Sequence, residues 1–577
     1  REEMSKTVSE VFVETLSAAG VKRVYGVVGD SLNGLTEAIR TSEQIDWLHV
    51  RHEEVAAFAA GADAHLTGQI AVCAGSCGPG NLHLINGLYD CHRNRVPVLA
   101  IAAQIPSAEI GSGYFQETHP EYLFKDCSHF CELVSQPEQM PRILGIAMRT
   151  AIAKRGVAVI VIPGDIALLK CAAPARSLGL DYSNSITLPS VASVEQAAAL
   201  LNGASKVAIL GGAGCEGAHA ELLDVAARLK APIVHALRGK EFIEYDNPYD
   251  VGMTGLLGFA SGYHAMKNCD VLLMLGTDFP YQQFYPTNAK VIQVDVRGEQ
   301  IGRRTRVDLG LVGNVKESLR ALIPKLDDKT DRTYLDRCLK DYSRSRQGLD
   351  DLATGQPGRV IHPQYVVKVL NELAAEDAIF TCDVGTPTVW AARYLRMNGK
   401  RRLIGSFLHG SMANALPQAI GAQAVFPNRQ VVSLSGDGGL AMLLGDLLTL
   451  KQLALPIKVV VFNNSSLGFV ELEMKAAGQL AYGTDLINPN FAKLAESAGI
   501  LGLRVTAPED VKSNLHRALV YDGPCLVEVI VNRQELAMPP TITASQAAGF
   551  SLYMIRAVLN GRGDEIVDLA KSNFLLR

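Results

Sequence analysis

The stretch from Gln430 to Asn464 reads QVVSLSGDGGLAMLLGDLLTLKQLALPIKVVVFNN, and its pattern is typical of an α/β fold. It contains two apolar runs, Gln430 to Ser435 and Ile457 to Phe462, each typical of a buried parallel strand. Gly436-Asp437-Gly438-Gly439 follows the first run, and Asn463-Asn464 follows the second. Strands of this kind, alternating with helical segments, predict an α/β domain with helices on both faces of a parallel sheet.

Asp437 and Asn464 are predicted to lie close together, because the carboxyl ends of parallel strands meet at the edge where open α/β sheets bind ligands. The segment between Gly438 and Asn463 has 24 residues. A carboxylate and an amide oxygen suit a hard divalent cation that also holds phosphate. The glycines allow the backbone to approach a diphosphate closely. Each string alone is ordinary turn or loop chemistry, so this interpretation requires a second half-site elsewhere.

The paired strings resemble the coenzyme-binding motif of the thiamine diphosphate (ThDP)-dependent enzymes. The resemblance implies that Mg²⁺ is held by the side chains of Asp437 and Asn464 and by the main-chain carbonyl of Ser466. It also implies that Met412 props the coenzyme into a bent shape, although methionine is otherwise common as core filler. The residues implied to contact ThDP in this half of the site are Gly410, Ser411, Met412, Asp437, Gly438, Gly439, Asn464, Leu467, Gly468, Phe469 and Val470.

The candidate for the second half-site is Arg51-His52-Glu53-Glu54, which lies between a strand-like segment, Ile45 to Val50, and a helical one, Val55 to Leu66. The resemblance implies that Glu53 contacts N1′ of the aminopyrimidine and promotes loss of the proton from C2 of the thiazolium. Glu53 is therefore predicted to be both a catalytic and a coenzyme-binding residue. The alternative for Glu53, and the interpretation we prefer for Glu54, is a charge that stabilises a helix N-terminus.

Composition indicates a large enzyme without a nucleic-acid partner. The chain has 577 residues and a net charge of −4, which predicts three or four domains and argues against a nucleic-acid footprint. The polar start predicts no signal peptide, and no apolar run reaches the ~18 residues that a membrane span requires. The eleven cysteines are dispersed and lack zinc-type spacing, which fits a reducing cytoplasm.

Strand-like and helical segments alternate in three blocks, so the predicted fold class is α/β with three doubly wound parallel-sheet domains and a C-terminal amphipathic tail. In the terms of the family, these are a pyrimidine-binding (PYR) domain at 1–185, a central FAD-binding domain at 186–337, and a diphosphate- and Mg-binding (PP) domain at 338–534, followed by the tail at 535–577. Residues 172–191 are predicted to be a linker. The first and third blocks are interpreted as a divergent pair.

The middle block contains Gly212-Ala213-Gly214-Cys215-Glu216-Gly217, a literal GxGxxG after a strand-like segment. The next strand, Pro232 to Ala236, ends without the acidic residue that an NAD site needs, so the glycines are interpreted as a tight turn or as facing a different dinucleotide. The rest of the block resembles the FAD-binding domain of the pyruvate oxidase and acetohydroxyacid synthase branch. The residues implied to contact FAD are Arg238, Thr254, Gly255, Leu256, Leu257, Thr277, Asp278, Phe279, Pro280, Tyr281 and Asp295.

Similarity to the acetate-forming, quinone-reducing members of that branch covers essentially the whole chain. It implies that pyruvate is decarboxylated through a ThDP-bound enamine and oxidised to acetate and CO₂, with electrons passing through FAD to ubiquinone. Phe115, Gln116, Phe469, Val470 and Glu473 match catalytic or substrate-facing positions, and Glu471, which could equally be a surface charge, is ranked below Glu473. His92 is interpreted as a structural group rather than a base. The absence of a His-His pair at 112–120 argues against a simple pyruvate decarboxylase.

The tail places Phe550, Met554, Ala557 and Val558 on one helical face, and Ile566, Leu569, Ala570 and Phe574 on another. The interpretation from residues alone leaves two alternatives open, a helix on a membrane surface and a helix packed on the chain's own core. The resemblance favours a lipid anchor that masks apolar surface at rest and is released when the cofactors are reduced. It therefore predicts a cytoplasmic protein peripherally bound to the inner face of the cell membrane.

Three functions remain in view: the pyruvate:quinone oxidoreductase, with a phosphate- and oxygen-dependent pyruvate oxidase as its close variant; a carboligase of the acetohydroxyacid synthase type; and a silent ThDP-fold scaffold or membrane adaptor. The resemblance implies a homo-oligomer, at least a dimer and by expectation a tetramer, because Glu53 and the metal loop meet across two subunits.

Overall fold

The computed structural model describes residues 6–171, 185–537, 544–571 and 573. Most of the predicted linker, together with Phe574 of the tail, lies outside these residues. Within these ranges, eighteen strands form three six-stranded sheets in which every strand pair is parallel. Most of the strands are short apolar runs buried on both faces, as parallel sheets between helices require, whereas several strands at sheet edges are partly exposed. The predicted fold class is confirmed.

The first sheet has the order β2-β1-β3-β4-β6-β5. Its strands are β1 (Arg23–Gly26), β2 (Asp46–His49), β3 (Ala71–Gly75), β4 (Val98–Gln104), β5 (Phe130–Leu133) and β6 (Val157–Pro163). Its helices are α1 (Val8–Ala18), α2 (Asn33–Ser42), α3 (Glu53–Thr67), α4 (Pro79–Asn94), α5 (Pro120–Leu123), α6 (Met140–Lys154) and α7 (Gly164–Leu168). Glu53, at the start of α3, therefore lies in the first domain.

The middle sheet has the order β12-β11-β10-β7-β8-β9, which is the doubly wound order of dinucleotide-binding sheets. Its strands are β7 (Val207–Gly211), β8 (Ile233–His235), β9 (Asp250–Met253), β10 (Val271–Leu275), β11 (Lys290–Asp295) and β12 (Leu309–Val312). Its helices are α8 (Val191–Gly203), α9 (His219–Leu229), α10 (Lys240–Ile243), α11 (Ala260–Lys267) and α12 (Val315–Leu322). The next helix, α13 (Thr333–Leu352), packs on α11, so the predicted boundary at 337/338 falls inside a helix.

The third sheet has the order β14-β13-β15-β16-β18-β17, which repeats the connectivity of the first. Its strands are β13 (Ile379–Cys382), β14 (Arg402–Gly405), β15 (Val431–Gly436), β16 (Lys458–Asn463), β17 (Leu501–Val505) and β18 (Cys525–Ile530). Its helices are α14 (Pro363–Leu373), α15 (Thr386–Tyr394), α16 (Ala415–Val425), α17 (Asp437–Met442), α18 (Leu447–Gln452), α19 (Gly468–Ala476), α20 (Phe491–Ser497) and α21 (Pro508–Val520). The shared strand order supports the interpretation of the first and third domains as a divergent pair.

Two contacts fix how these domains and the tail sit together. Helix α3 of the first domain packs against α16 of the third so closely that a methyl group at Gly421 would lie 2.1 Å from the carbonyl oxygen of Ala59. The tail forms α22 (Ala544–Leu559) and α23 (Gly563–Ala570), and α22 packs on α19. Among the described residues, no helix is both long and apolar enough to cross a membrane.

Candidate active site

The Asp437 and Asn464 loops lie side by side, as predicted from the two strand ends. Strands β15 and β16 pair in parallel with Gly436 opposite Phe462, so the two loops leave the same edge of the sheet. Each oxygen of the Asp437 carboxylate accepts a backbone N–H, from Gly438 at 2.9 Å and from Ser465 at 2.7 Å. Asp437 is therefore held in one orientation before any ligand arrives.

Further polar side chains orient the Asp437 carboxylate through hydrogen bonds. The amide of Asn488 donates to Asp437 Oδ2 at 2.8 Å and to Asn463 Oδ1 at 3.0 Å. The amide of Asn463 donates in turn to Glu528 at 2.8 Å, and this fully buried carboxylate is paired with Arg504 at 3.0 Å. The network runs from β18 to the predicted metal ligand, and it explains why the first asparagine of the pair points away from the cleft.

The donor set fits a divalent cation. Burial raises the pKa of Asp437, because it disfavours the ionised carboxylate, although the N–H groups of Gly438 and Asn488 partly offset this effect. A bound cation would stabilise the ionised carboxylate. The side-chain oxygen of Asn464 accepts the N–H of Ser466 at 3.0 Å, in a turn where Ser465 adopts a left-handed φ of 55°. Carboxylate, amide and carbonyl oxygens are the ligands that Mg²⁺ prefers.

The apolar support predicted at Met412 lies against the same loop. A methyl group at Gly438 would contact Met412 Cε at 3.5 Å and Leu467 Cδ2 at 2.8 Å, so these three residues converge. Ser411 donates its hydroxyl to the carbonyl of Met412 at 2.8 Å, and Ala413 follows with a left-handed φ of 64°. Strained backbone of this kind is typical of ligand-binding loops.

Asp383 belongs to the same site, but the sequence analysis did not assign it a role. It follows β13, and Asp437 follows β15, so the two aspartates flank the point at which the strand order of this sheet reverses. Burial raises the pKa of Asp383 to about 7. A methyl group at Gly439 would lie 2.4 Å from Asp383 Oδ2, so only glycine fits between this carboxylate and the loop.

Glu53 is buried, with 8% of its surface exposed, and it is the first residue of α3. Its Oε2 lies 2.9 Å from Nδ1 of His83, whose ring stacks on that of His52 with a centroid distance of 4.3 Å. Its neighbour Glu54 accepts a hydrogen bond from Asn86 at 2.7 Å and is partly buried rather than a simple surface charge. The two acids therefore have different surroundings, as the sequence interpretation requires.

The predicted substrate residues fall into two groups. Phe469, Val470 and Glu473, on α19, line the same cleft as Asp437 and Asn464. Phe115 and Gln116 do not line it, and the side chain of Phe115 is 78% exposed. Glu471, also on α19, differs from expectation, because it is buried rather than lying at the surface. Its carboxylate pairs with Lys475 and Arg533, and it accepts the hydroxyl of Ser466 at 2.5 Å.

The eleven residues implied to contact FAD all line that cleft, at the carboxyl edge of the middle sheet. Thr277 follows β10 and Asp295 ends β11, and the strand order reverses between β10 and β7, which is where doubly wound sheets bind dinucleotides. Four residues of the GxGxxG segment also line the cleft, and the chain makes a short turn at Ala213–Cys215 in which Gly214 packs on Gly276. The first domain adds a wall that includes His92, whose pKa is lowered to about 4 by burial and by nearby His129.

The structure thus joins two sets of predicted residues and leaves a third apart. One cleft of about 1920 Å³ is lined by the PP-domain loops and by the middle-domain segments. Glu53, Ser411, Phe115 and Gln116 are not among its lining residues. Asn488 and Asp383 were missed by sequence reasoning. Asp383 follows a buried strand, which is a usable signal, whereas Asn488 stands in a loop without one.

Three family profiles match this chain in order. Residues 6–123 match the "Thiamine pyrophosphate enzyme, N-terminal TPP binding domain", residues 194–322 the "central domain", and residues 383–529 the "C-terminal TPP binding domain". A putative thiamine pyrophosphate-containing protein of Bacillus subtilis, YdaP, is 39% identical over 568 residues, covering 98% of this chain and 99% of that protein.

Two named enzymes are also similar along most of their length. A pyruvate oxidase of Lactiplantibacillus plantarum is 30% identical, covering 90% of this chain and 87% of that enzyme. The acetolactate synthase isozyme 2 large subunit of Escherichia coli is 31% identical, covering 91% of this chain and 96% of that subunit. The chain belongs to the thiamine pyrophosphate (thiamine diphosphate) enzyme family.

Proposed function

We propose that this enzyme oxidises pyruvate to acetate and CO₂ with ThDP, Mg²⁺ and FAD, and passes the electrons to ubiquinone at a membrane surface. The observation that carries the proposal is the single cleft that the metal loops of the third domain share with the dinucleotide edge of the middle domain. An enzyme that only decarboxylates does not need a dinucleotide bound with one end beside ThDP.

The dimensions of the cleft support two cofactors. Its volume of about 1920 Å³ exceeds the roughly 300–1,000 Å³ of pockets that hold one small molecule. Tyr281, from the middle domain, faces Glu473 on α19, and burial together with that carboxylate raises the pKa of the tyrosine. A flavin held at 277–281 would therefore reach the substrate end of the coenzyme site.

The chain's own residues have distinct tasks in this reaction. Asp437, Asn464 and the Ser466 carbonyl would hold Mg²⁺ and, through it, the diphosphate, while Met412 supports the middle of the coenzyme. When bound, ThDP supplies an electron sink for the loss of CO₂. Glu53 would hold a proton against N1′ of the bound coenzyme, and its hydrogen bond to His83 keeps the carboxylate oriented. Glu473 lines the cleft and is placed to handle protons of the bound substrate.

A second copy of the chain completes the site in this proposal. Glu53 and the Phe115–Gln116 pair do not line the cleft of their own chain, and Phe115 is largely exposed. The exposed ring of Phe115, at a position predicted to face the substrate, supports a surface that another subunit covers. We therefore propose a homodimer as the smallest active unit, and a tetramer as the assembled form.

Two related reactions use the same site, and the relatives give each a specific reason to be tested. The acetolactate synthase similarity favours a carboligase, which would join two keto-acid units to form acetolactate. The pyruvate oxidase similarity also admits a phosphate- and oxygen-dependent variant, which would yield acetyl phosphate. The third alternative, a silent scaffold, would bind no flavin and yield no product.

Product analysis separates these functions. The purified chain is supplied with pyruvate, ThDP, Mg²⁺, FAD and a soluble quinone analogue, with and without phosphate, oxygen and lipid vesicles. Acetate formed in step with quinone reduction is expected, together with the yellow colour of bound flavin. Acetolactate as the main product, or acetyl phosphate formed only with phosphate and oxygen, would refute the proposed acceptor. A colourless protein without turnover would refute the enzymatic proposal as a whole.

We propose that the tail is a membrane anchor that is docked at rest and released on reduction of the cofactors. Helix α22 contacts α19, and a methyl group at Gly549 would lie 1.9 Å from the carbonyl oxygen of Ala476. Tyr553 is buried under the ammonium group of Lys475, which lies 5.3 Å from the ring centroid. Lys475 pairs with Glu471, and Glu471 accepts the hydroxyl of metal-loop residue Ser466. The tail is thus connected to the metal loop by consecutive contacts.

The apolar face predicted from sequence is divided between two surfaces. Ala557 is buried against the domain, whereas Met554 and Val558 point outward with Ile555 and Leu559. Ile555 and Val558 are 58% and 62% exposed. The outward apolar strip of the docked helix supports contact with a lipid surface. On release, the residues that face the domain would enlarge the apolar surface that contacts lipid.

Two variants separate docking from lipid contact. Gly549→Ala should displace α22, because the added methyl overlaps a backbone oxygen, and the enzyme should then bind phosphatidylglycerol vesicles without pyruvate. The paired change Ile555→Asp and Val558→Asp should abolish vesicle-stimulated quinone reduction yet preserve reduction of ferricyanide. Gly348→Ala, at a position with open space, and Val520→Asp, exposed on α21, are the matched controls. Equal loss of both electron-acceptor activities would refute the anchor.

A further inference from the structure

A cluster of two histidines and one glutamate stands at the start of α3. One ligand atom each from His52, Glu53 and His83 lie within 4.8 Å of one another. The carboxylate oxygen of Glu53 and Nδ1 of His83 are only 2.9 Å apart, and the two imidazole rings are stacked. This separation is close to that of two ligand atoms on one small cation, since each would stand roughly 2.0–2.2 Å from the metal.

We propose that the coenzyme-free enzyme binds a transition-metal dication, of which Zn²⁺ is the type, at His52, Glu53 and His83. Two imidazoles and one carboxylate are the protein ligands of open, four-coordinate zinc sites. Imidazole nitrogen favours Zn²⁺, Co²⁺ and Cu²⁺ over Mg²⁺, whereas the Asp437 and Asn464 loops offer only oxygen. The two sites therefore select cations of different chemistry.

Binding at this cluster displaces protons and one hydrogen bond in a defined way. The metal takes the place of the proton that His83 Nδ1 and Glu53 share. His52 Nδ1 accepts the N–H of Glu54 at 3.1 Å. When His52 ligates the metal, the ring must therefore either lose this helix-capping hydrogen bond or change its tautomer. Losing a cap costs about 1 kcal/mol, which is small beside the energy of a three-ligand zinc site.

The cluster is accessible, and thiolates do not compete with it. The His83 side chain is 44% exposed, which leaves an open side for the cation and its fourth ligand. Ten of the eleven cysteines are buried, Cys77 in the turn before α4 among them, and burial raises the pKa of Cys73 and Cys91 in this domain. A soft cation that reaches the first domain would therefore meet nitrogen before sulfur.

A bound metal would compete with ThDP, a consequence that rests on the proposed function because it requires Glu53 to contact the coenzyme. The Glu53 carboxylate cannot ligate the metal and bind the coenzyme at the same time without weakening both interactions. The enzyme would thus be inhibited by zinc until ThDP and Mg²⁺ displace the metal, and saturating coenzyme would protect it.

Cobalt binding tests the site, because Co²⁺ reports its ligands in its visible spectrum. Titration of the full-length, coenzyme-free protein should give one Co²⁺ per chain, with four-coordinate absorption, no thiolate charge-transfer band, and displacement by Zn²⁺. His52→Asn keeps a capping side chain but removes the ligand, and His83→Gln keeps the contact to Glu53. Each should weaken binding at least tenfold. His264→Asn, at an exposed histidine on α11, and Asn464→Ala should leave it unchanged.

Several outcomes would overturn the proposal. These are the absence of the cobalt spectrum in the wild-type protein, a thiolate band, and a Co²⁺ affinity in both histidine variants equal to that of the wild-type protein, the folding of each variant being checked by circular dichroism. ThDP with Mg²⁺ should release the metal, and retention of the metal beside bound ThDP would refute competition. Failure of the enzyme to oxidise pyruvate after removal of cobalt and reconstitution with ThDP, Mg²⁺ and FAD would instead refute the proposed function, without altering the cobalt result.

Discussion

Replacing Glu53 by glutamine removes one negative charge while keeping the shape of the side chain. The amide fits the same space, and its oxygen retains the His83 hydrogen bond, so the free energy of unfolding should change by no more than about 1 kcal/mol. The charge-assisted hydrogen bond to the coenzyme is lost. Such bonds contribute roughly 1.5–3 kcal/mol, which corresponds to a loss of affinity of about 10- to 150-fold. Loss of proton transfer adds a factor of roughly 10²–10⁴ to the fall in kcat.

The assay is steady-state pyruvate oxidation with ferricyanide, measured over a range of ThDP concentrations so that coenzyme affinity and kcat are obtained separately. We expect a weaker apparent ThDP affinity and a kcat reduced by at least about a hundredfold at saturation. Glu54→Gln is the matched control, because that carboxylate contacts Asn86 and an amide oxygen can still accept this hydrogen bond. A kcat within about threefold of the wild-type value in Glu53→Gln would refute the assignment of the activating acid.

Three further changes test other parts of the account. Asn488→Ala removes a donor that lowers the pKa of Asp437, so Mg²⁺-dependent ThDP binding, measured by calorimetry, should weaken roughly 10- to 100-fold; unchanged affinity would contradict the supporting network. Asp250, buried with a pKa raised to about 7, favours the folded state when protonated, and this stability is lost as the pH rises from about 4 through 7. Asp250→Asn should therefore raise the free energy of unfolding at pH 8 by about 2–4 kcal/mol but leave it unchanged at pH 4, and equal denaturation midpoints at pH 8 would contradict this. Gly421→Ala should lower stability by about 3 kcal/mol or more, because its methyl would meet the Ala59 carbonyl, and an unaltered melting temperature would show that α3 and α16 can move apart.

The loops of the site could be predicted because their chemistry is local. Asp437 and Asn464 each follow a buried strand directly, so the sheet alone brings them together. The middle-domain residues were predictable for the same reason, since Thr277 and Asp295 stand at strand ends. Such positions depend on the order of strands and not on details of side-chain packing.

The remaining features depend on contacts between distant segments. Asn488 reaches Asp437 from 51 residues away, and no pattern around it signals that contact. Glu471 looked like a surface charge because its partners Lys475 and Arg533 become close only after the chain has folded. The division of the tail's apolar face was also hidden, because the partner helix α19 decides which residues are buried.

The central claim is that Glu53 from one protomer and the Asp437–Asn464 loops from another hold the same coenzyme. Glu53→Gln and Asn464→Ala are each expected to be nearly inactive when pure. When equal amounts are dissociated and reassembled, each site draws its two halves independently, so roughly one quarter of the sites, and of wild-type activity, should return. Reassembled wild-type protein serves as the control. A mixture that stays as inactive as its two components would show that both halves come from a single chain.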